Sequence, residues 1–229
     1  LLHPRIGGLA PADIRVVAAF DIDARKVGKP LETACAARPN CTTQFLKRFP
    51  RYGVRVQMGP VLDGVAAHMS QYPPDQTFVV SAARPVNVAK VLRRSGAEIL
   101  LSYLPVGSTR ATEAYASACL ETGVSLINCI PVFIASHPSW AKRFAARGIP
   151  LIGDDVKGQV GATILHRTLA RLFMERGAAI DRTYQLNVGG NTDFLNMLNQ
   201  DRVKMKKISK TEAVQTVLAK RLGQTNIHI

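Results

Sequence analysis

The chain has 229 residues, 47% of them hydrophobic, which is enough to bury a sizeable core and argues against a disordered protein. Lys and Arg number 30 against 16 Asp and Glu, and the formal net charge of +14 favours an anionic partner, either nucleic acid or a phosphorylated metabolite with a dinucleotide. The cations are scattered, and their densest cluster, at 202–210, has no aromatic residues for base stacking. We therefore expect no nucleic-acid partner.

The longest apolar runs are far too short to span a bilayer, and no signal-peptide pattern opens the chain. The four cysteines have neither C-x-x-C nor zinc-finger spacing, which indicates reduced, mostly buried thiols. These features predict a cytoplasmic protein with no membrane partner. Because the sequence does not begin with Met, we expect it to be an internal part of a longer protein.

The first two thirds of the chain alternate strands and helices. The predicted strands have continuous apolar sequences, typical of strands with both faces covered, at residues 14–20, 98–104, 124–130 and 150–152. The predicted helices between them end at glycines and cover residues 86–94, 109–122 and 139–147, with Ser108 as the N-cap of the second. This spacing predicts βαβ units and a parallel sheet. The segment 38–76 is irregular and receives no assignment.

The pattern changes after residue 156, and we place a domain boundary near residue 160. A long helix is predicted up to Gly177, with one broad apolar face made of Val160, Ile164, Leu165, Leu169, Leu172 and Phe173. An alternating strand follows at 183–188, then a lysine-rich turn and a final helix from about 209 to 222. Residues after Gly223 are expected to have nothing to dock on.

Two polar motifs follow predicted strands, which is where ligands bind to open α/β sheets. Asp21 ends the first strand, where a carboxylate can accept hydrogen bonds from a ribose, although the sequence by itself favours a solvated turn aspartate. The segment 102–108 combines a strand end, a break and a helix start, and it is equally consistent with an ordinary βα turn. No G-x-G-x-x-G loop occurs in the chain, so the phosphate loop of such a sheet would precede Leu1.

Two acidic motifs lie further along the chain. Asp154 and Asp155 are adjacent at a strand end, where two carboxylates repel each other unless they orient a cofactor, a base or a metal. The alternative is one N-cap aspartate and one solvated aspartate. Asp193 follows Gly189-Gly190-Asn191, so the backbone there can approach a ligand closely, or Asn191 or Asp193 can simply cap a helix.

The lysine cluster carries the third motif. Lys206 and Lys210 are four residues apart and share a face if the stretch is helical. Like charges at this spacing are unfavourable unless an anion lies between them, such as a phosphate or a developing oxyanion. The alternative is a solvated basic surface, which for a lysine run is the usual case.

Together and in order, these motifs resemble the inositol-1-phosphate synthase family, most closely the short form found in actinobacteria and archaea. The similarity spans essentially the whole chain, and it is carried by the segments 19–28, 101–108, 131–136, 153–157, 186–197 and 206–210. The blocks around Asn187 and Lys206 are highly specific. The resemblance implies a Rossmann-like parallel sheet, incomplete in this chain, followed by the start of a second α/β domain that builds the active site and a homotetramer.

By this resemblance, residues 1–160 form an NAD-binding domain without its first strand and glycine loop, and residues 161–229 form part of the catalytic and oligomerisation domain. The family isomerises glucose 6-phosphate to inositol 1-phosphate. Bound NAD takes a hydride to give a ketone, a proton is removed, the enolate closes in an intramolecular aldol step, and the hydride returns. A chain that lacks the phosphate loop is expected to be inactive by itself.

The resemblance also implies the residues that bind the cofactor. Asp21 binds the adenosine ribose, and Ala83 and Tyr103 line the dinucleotide groove. Gly158 stands where the family usually has a serine that contacts the nicotinamide amide, so that contact is lost unless the Gly158 amide replaces it. We expect Asp21, Tyr103 and Asp155 to converge at the carboxyl edge of one sheet.

Catalysis is implied to rest on two lysines and two aspartates. Asp155 and Asp193 lie near the nicotinamide and belong to both the cofactor site and the catalytic set. Lys206 contacts cofactor and substrate oxygens, and Lys210 contacts the substrate phosphate or its oxygens. A divalent or monovalent cation is left open.

Three alternatives compete with this assignment. The first is another two-domain NAD-dependent dehydrogenase, which would convert NAD to NADH with net turnover. The second is a basic nucleic-acid-binding protein, whose affinity would fall steeply with salt. The third is a remnant without function.

Overall fold

The computed structural model describes residues 3–229, with the backbone alone at residues 157 and 159. The chain divides into two compact units: the first comprises the chain up to Pro60 together with Val79–Ala97, and the second comprises Val61–Phe78 together with Glu98–Ile229. Both units are mixed α/β with parallel strands, which confirms the predicted fold class. The boundary near residue 160 falls inside the second unit and stays a prediction.

Within its described residues, the first unit contains one parallel strand pair, two α-helices and a 3-10 turn at Pro11–Asp13. The strands and α-helices are β1 (Ala19–Asp21), α1 (Leu31–Ala34), β2 (Val56–Met58) and α2 (Val88–Ser95). The strand predicted at 14–20 is shorter and ends one residue later, because only residues 19–21 pair with β2. Helix α2 agrees with the prediction: the side chain of Asn87 accepts a hydrogen bond from the Lys90 amide at 2.8 Å, and Gly96 ends the helix at φ +65°.

A buried carboxylate holds the segment that starts at Val79 beside the end of β1. Asp23 is 1% exposed, and it accepts hydrogen bonds from the amides of Arg25 at 2.9 Å and Val79 at 3.1 Å and from the Arg25 guanidinium. Burial acts to raise the pKa of Asp23, but these hydrogen bonds and the Arg25 charge outweigh it and lower the pKa. The Ser81 amide also donates to the Ile22 carbonyl at 2.8 Å.

The second unit is built on a three-stranded parallel sheet. Its order is β3-β4-β5, with β3 at Ile99–Ser102, β4 at Ser125–Asn128 and β5 at Leu151–Ile152. The three predicted strands are thus confirmed, but they form a sheet separate from β1 and β2. The apolar sequences predicted that both faces of this sheet are covered. Within residues 3–229 one face is not, because 52–56% of the surface is exposed at Ile99, Leu101 and Ile152.

The sheet is followed by helices α3 (Thr109–Thr122) and α4 (Pro138–Ala146), close to the predicted ranges. Ser108 occupies the predicted N-cap position of α3, but its side chain makes no capping hydrogen bond. Asp63 caps the helix instead, because its carboxylate accepts from the amides of Arg110 at 2.8 Å and Ala111 at 2.9 Å. A carboxylate at a helix N-terminus satisfies unpaired amides and meets the positive end of the helix dipole.

The C-terminal part of the second unit consists of α5 (Ala162–Glu175), β6 (Thr183–Tyr184), α6 (Thr192–Asn196), α7 (Gln200–Gln215) and β7 (Ile227–His228). Strands β6 and β7 pair in parallel. Ala170 of α5, Val214 of α7 and Ile227 of β7 form one buried cluster. The expectation that residues after Gly223 have nothing to dock on is therefore wrong.

Three other expectations for this part are corrected. The lysine-rich stretch is not a turn before a helix, since α7 runs through it without a break. The strand predicted at 183–188 has two residues, beyond which Leu186 and Val188 are 89% and 96% exposed. The long helix begins at Ala162 after a 3-10 turn at Lys157–Val160, and its apolar face is 44–61% exposed at Ile164, Leu165, Leu169, Leu172 and Phe173. Among the helices of residues 3–229, none combines the length and apolarity needed to cross a bilayer.

Two glycines with nearly the same φ allow a test of how closely α7 packs against the turn at Gly107. Gly107 has φ +82°, and a Cβ there would lie 2.6 Å from the Cβ and 2.8 Å from the Cα of Arg202. Gly123 has φ +79° with nothing within 4 Å of its Cβ position. We expect Gly123→Ala to lose about 1–2 kcal/mol of unfolding free energy from left-handed strain. Gly107→Ala should lose roughly 1–3 kcal/mol more from steric overlap.

The measurement is urea unfolding followed by circular dichroism. Because both substitutions add one methyl group at the same φ, the difference between their midpoints reports the contact with Arg202. Equal losses in the two variants would contradict the close approach.

Candidate active site

One face of α7 carries the predicted lysines. Lys206 is four residues from both Arg202 and Lys210 and three residues from Ser209. The four side chains therefore follow one stripe along the helix. The side chain of Asn199 starts the helix by accepting a hydrogen bond from the amide of residue 201 at 3.0 Å. The backbone at Lys206 and Lys210 is therefore helical, so the two lysines share a face as predicted.

Asp155 contacts this stripe. Its side chain is 2% exposed, and Oδ2 accepts a hydrogen bond from the Ser209 hydroxyl at 2.7 Å. Its backbone has φ +59°, in the left-handed region that residues with a side chain rarely adopt. Its amide donates to the Ile130 carbonyl at 3.0 Å, which fixes this conformation from the side of the sheet. A strained residue held in this way is typical of functional sites.

The cluster moves the pKa values of an acid and a base in opposite directions. Burial raises the pKa of Asp155, against the lowering effects of the Ser209 hydrogen bond, the Lys206 and Lys210 charges and the Gly158 amide. Burial also lowers the pKa of Lys210, helped by repulsion from Lys206 and opposed by Asp155. Because each charged form is disfavoured, the two pKa values move toward each other, which favours proton transfer between such groups.

Lys206 pairs with the second predicted aspartate. Its Nζ lies 3.7 Å from Asp193 Oδ2 and donates to the Met197 sulfur at 3.3 Å. The cap of α6 is Asn191, whose side chain accepts from the Phe194 amide at 3.0 Å, so the Asp193 carboxylate is available for Lys206. The structure thus brings Lys206, Lys210, Asp155 and Asp193 into one cluster.

Gly158 leaves room for the Asp155 carboxylate. A Cβ at residue 158 would lie 2.4 Å from Asp155 Oδ1 and 2.7 Å from its Cγ. The carboxylate therefore occupies the space of the side chain that serine would bring. The Gly158 amide donates to the Asp155 carbonyl at 3.0 Å, so its backbone remains tied to Asp155.

The neighbouring Asp154 has a structural role. Its carboxylate accepts hydrogen bonds from Asn128 Nδ2 at 2.7 Å and from the amides of Ile134 at 3.0 Å, Ala135 at 3.1 Å and Ser136 at 3.0 Å. Of the two adjacent carboxylates, Asp154 thus anchors the loop at residues 134–136, whereas Asp155 faces α7. Among the described residues, no three or more His, Cys, Asp or Glu are grouped so as to hold a metal ion.

Arg202 joins α7 to two loops. Its Nη1 donates to the Asp63 carbonyl at 2.8 Å, its Nε to the Val106 carbonyl at 3.1 Å and its Nη2 to the Ser108 hydroxyl at 3.3 Å. Asn196 Nδ2 donates to the same Val106 carbonyl at 2.9 Å. The turn after β3 is therefore fixed against α6 and α7 through the close approach at Gly107.

In the first unit, Asp21 lies at the carboxyl end of β1 as predicted. Its Oδ1 accepts from the amides of Ile22 at 2.7 Å and Asp23 at 2.9 Å, and its Oδ2 accepts from Lys26 Nζ at 3.0 Å. Ala83 is exposed in the segment held beside the end of β1, with its amide bound to the residue 81 hydroxyl at 3.2 Å. Convergence of Asp21 with Tyr103 and Asp155 stays a prediction, because those residues belong to the second unit.

Tyr103 follows β3 and is 62% exposed. Partial desolvation raises the pKa of Tyr103, and the neighbouring Cys129 thiol adds to the shift. At the same carboxyl edge, Ser102 Oγ and Asn128 Oδ1 are buried and have no hydrogen-bond partner among the described residues. Tyr103 and Asp155 thus belong to one sheet edge, although Asp155 points to α7.

Sequence reasoning missed Ser209, Arg202 and Asp63. A helical assignment of 200–215 would have placed Ser209 and Arg202 on the lysine face, because they are three and four residues from Lys206. No local signal identifies Asp63, since its partners lie 47 and 139 residues away along the chain.

The chain is similar to several known proteins. The family model described as "Myo-inositol-1-phosphate synthase" matches residues 161–229. The protein named "Inositol-3-phosphate synthase" in Mycolicibacterium smegmatis is 48% identical over 233 residues, covering 100% of this chain and 62% of that protein. The protein of the same name in Corynebacterium glutamicum is 48% identical over 234 residues, covering 100% of this chain and 63% of that protein. The chain thus spans less than two thirds of the length of these relatives.

A solved structure described as "Crystal structure of Ari2" is also similar. It matches with a TM-score of 0.70 and 33% sequence identity over 99% of this chain and 59% of that chain. The fold similarity therefore covers nearly all residues of this chain.

The lowered pKa of Lys210 is open to a direct test by amine acylation and mass spectrometry across pH. We expect Lys210 to react at lower pH than the exposed Lys207, because burial and Lys206 disfavour its charged form. In Lys206→Ala the pKa of Lys210 should rise, because a like charge is removed. An unchanged profile for Lys210 in that variant would contradict the coupling between the two lysines.

Proposed function

We propose that the chain belongs to the myo-inositol-1-phosphate synthase family and that the whole protein isomerises glucose 6-phosphate to an inositol phosphate with NAD. The observation that carries the proposal is the cluster of Lys206, Lys210 and Asp155 with its opposed pKa shifts. Isomerisation through a ketone needs a cation beside developing negative charge and groups that move protons at carbon. This cluster contains both.

The described residues fit a dinucleotide. The Asp21 carboxylate has one oxygen held by backbone amides and the other bound to Lys26, whose side chain is 38% exposed, so ribose hydroxyls can replace that lysine. At the carboxyl edge of β3 and β4, Ser102 Oγ and Asn128 Oδ1 have no hydrogen-bond partner within the part of the chain that the structure describes. When bound, NAD supplies the hydride acceptor and donor for the oxidation and the later reduction. In the first unit Asp21 and Ala83 would hold it, and the predicted contacts in the second unit are Tyr103 and Gly158.

The two lysines divide the remaining chemistry. Lys210, with its lowered pKa, is the better proton acceptor and takes the proton that leaves carbon in the enolisation. Lys206 is held by Asp193 at 3.7 Å and remains the cation that stabilises the enolate and the aldol alkoxide. An anionic substrate between them also relieves their mutual repulsion.

Asp155 returns protons within the site. Its raised pKa makes it a stronger acceptor than an ordinary aspartate, and the Ser209 hydroxyl keeps its Oδ2 directed at α7. Because substrate and product of an isomerisation contain the same atoms, each proton removed must be replaced. A carboxyl and an amine with converging pKa values can exchange that proton without solvent.

We propose that the whole protein is a cytoplasmic homotetramer of inositol and phospholipid biosynthesis. The exposed apolar face of α5 supports a further partner surface, because contiguous apolar patches of this kind are usually covered by another domain or subunit. Glucose 6-phosphate as substrate rests on family membership and on the two site lysines.

The decisive experiment compares Lys206→Ala with Lys207→Ala in the full-length protein. We expect Lys206→Ala to lower kcat by roughly 100- to 1,000-fold, because removal of an oxyanion partner costs about 3–4 kcal/mol in the transition state. Lys207→Ala should be nearly unchanged, because its Nζ is exposed and donates to Gln200 at 3.0 Å. The rate of inositol phosphate formation is followed by NMR.

Two outcomes would contradict the proposal. Equal rate losses in both variants would remove the distinction between the faces of α7. Stoichiometric accumulation of NADH with the substrate would identify a dehydrogenase instead, because an isomerase regenerates its NAD in every turnover.

Gly158 provides a second test in the same protein. Gly158→Ala forces the Asp155 carboxylate out of its place, whereas Gly161→Ala meets nothing within 4 Å of its Cβ. We expect kcat to fall on the order of 10- to 100-fold in the first variant, since a misplaced catalytic group loses most of its effect. Gly161→Ala should retain activity and serves as the control. Full activity of Gly158→Ala would contradict the assigned position of Asp155.

A further inference from the structure

The positive charge of the chain is concentrated in the first unit. Its residues include 14 Lys and Arg against 4 Asp and Glu, so this unit accounts for +10 of the total charge of +14. The sequence alone indicated scattered cations, but the division into units shows a strong asymmetry. Such an asymmetry favours an anionic partner for the first unit.

Within this unit, the residues between α1 and β2 form the most basic exposed segment. We call residues 38–55 the basic loop. Its five cations are exposed, and no acidic residue occurs from position 33 to position 62; the cations are Arg38, Lys47, Arg48, Arg51 and Arg55. In the part of the chain that the structure describes, none of these cations forms a salt bridge. The loop therefore carries uncompensated charge.

The basic loop also exposes apolar side chains beside these cations. Phe45 is 93% exposed, Leu46 is 56% exposed and Tyr52 is 37% exposed. Phe45 and Leu46 directly precede Lys47 and Arg48 in the sequence. Adjacent apolar residues with this exposure are unfavourable in water, so their position next to unpaired cations points to a surface that accepts both.

We propose that the basic loop binds the surface of a bilayer that contains anionic lipids. The headgroups would bind the cations, and Phe45 and Leu46 would enter the boundary between headgroups and acyl chains. Single-stranded nucleic acid fits less well: Phe45 and Tyr52 offer aromatic faces for base stacking, but they are seven residues apart, and Leu46 beside Phe45 is apolar without such a face. This contact lies on the surface and needs no spanning helix, but it departs from the expectation of no membrane partner.

The end of the loop is anchored to the unit. Arg55 Nη1 donates to the Gly28 carbonyl at 2.8 Å, and the residue joins the strand pair through a bridge to Pro30. Asn40 Nδ2 donates to the Cys35 carbonyl at 3.0 Å near the other end. The segment from Phe45 to Arg51 is thus presented between two fixed points, which keeps its apolar and basic residues on the same loop.

The test is co-sedimentation of the full-length protein with two kinds of vesicle. One is made of phosphatidylcholine alone, and the other of phosphatidylcholine with about 30% phosphatidylserine. We expect binding to the anionic vesicles only. The triple variant Lys47→Ala, Arg48→Ala, Arg51→Ala should bind on the order of 100-fold more weakly, since each cation near the surface contributes about a factor of five. Phe45→Ser with Leu46→Ser should lower binding by about tenfold or more.

The control removes the same number of cations from the same unit outside the loop. Lys29→Ala, Lys90→Ala, Arg94→Ala takes away three exposed charges and should leave binding nearly intact. The proposal is overturned if this control loses as much affinity as the loop variant. It is also overturned if phosphatidylcholine vesicles bind equally well, or if single-stranded RNA binds more tightly than anionic vesicles at equal phosphate concentration.

Discussion

The position of α7 depends on the contact between Arg202 and the turn at Gly107. The guanidinium reaches the Asp63 carbonyl, the Val106 carbonyl and the Ser108 hydroxyl, so three segments meet at one side chain. A residue with a Cβ at position 107 could not allow the helix to come this close. Lys210 lies eight residues further along α7, about 12 Å at the rise of an α-helix. Because a helix is stiff over this length, fixing Arg202 also fixes the direction of the two lysines.

Two aspartates contact this face of α7. Asp193 reaches it from α6 and pairs with Lys206, whereas Asp155 reaches it from the carboxyl edge of the sheet through Ser209. The left-handed backbone of Asp155 and the missing side chain at Gly158 are both needed for this approach. The contacts of one helix face with two separate loops therefore create an acid and a base whose pKa values converge.

Periodicity and glycine positions predicted the helices of the first two thirds well, because α2 and α3 have local stop signals at Gly96 and Gly123. The strands were predicted too long, since their length is set by the partner strand and β2 offers three residues. The continuity of α7 was missed because its lysines and its polar face suggested a turn. The docking of Ile227 against Ala170 and Val214 is non-local and has no signal in the sequence.

The site residues show the same division. Asp21, Asp155 and the lysines follow recognisable elements, so their positions could be predicted from motifs. Asp63 could not, because its partner Arg202 lies 139 residues away along the chain. Arg202 would have been placed on the lysine face by a helical assignment, but its contact with Asp63 has no local signal. Ser209 is intermediate, since a helical assignment alone would have placed it between the lysines.

The strong positive charge has two different physical settings in this chain. On α7, Lys206 and Lys210 are partly buried, and each is opposed by a carboxylate, which suits a small anion that must bind and be released. On the basic loop, the cations are exposed and unopposed and lie next to apolar side chains, which suits an extended surface. Net charge alone cannot separate these settings, because it counts every cation equally. Burial and the placement of acids distinguish them, and they favour two different kinds of anionic partner.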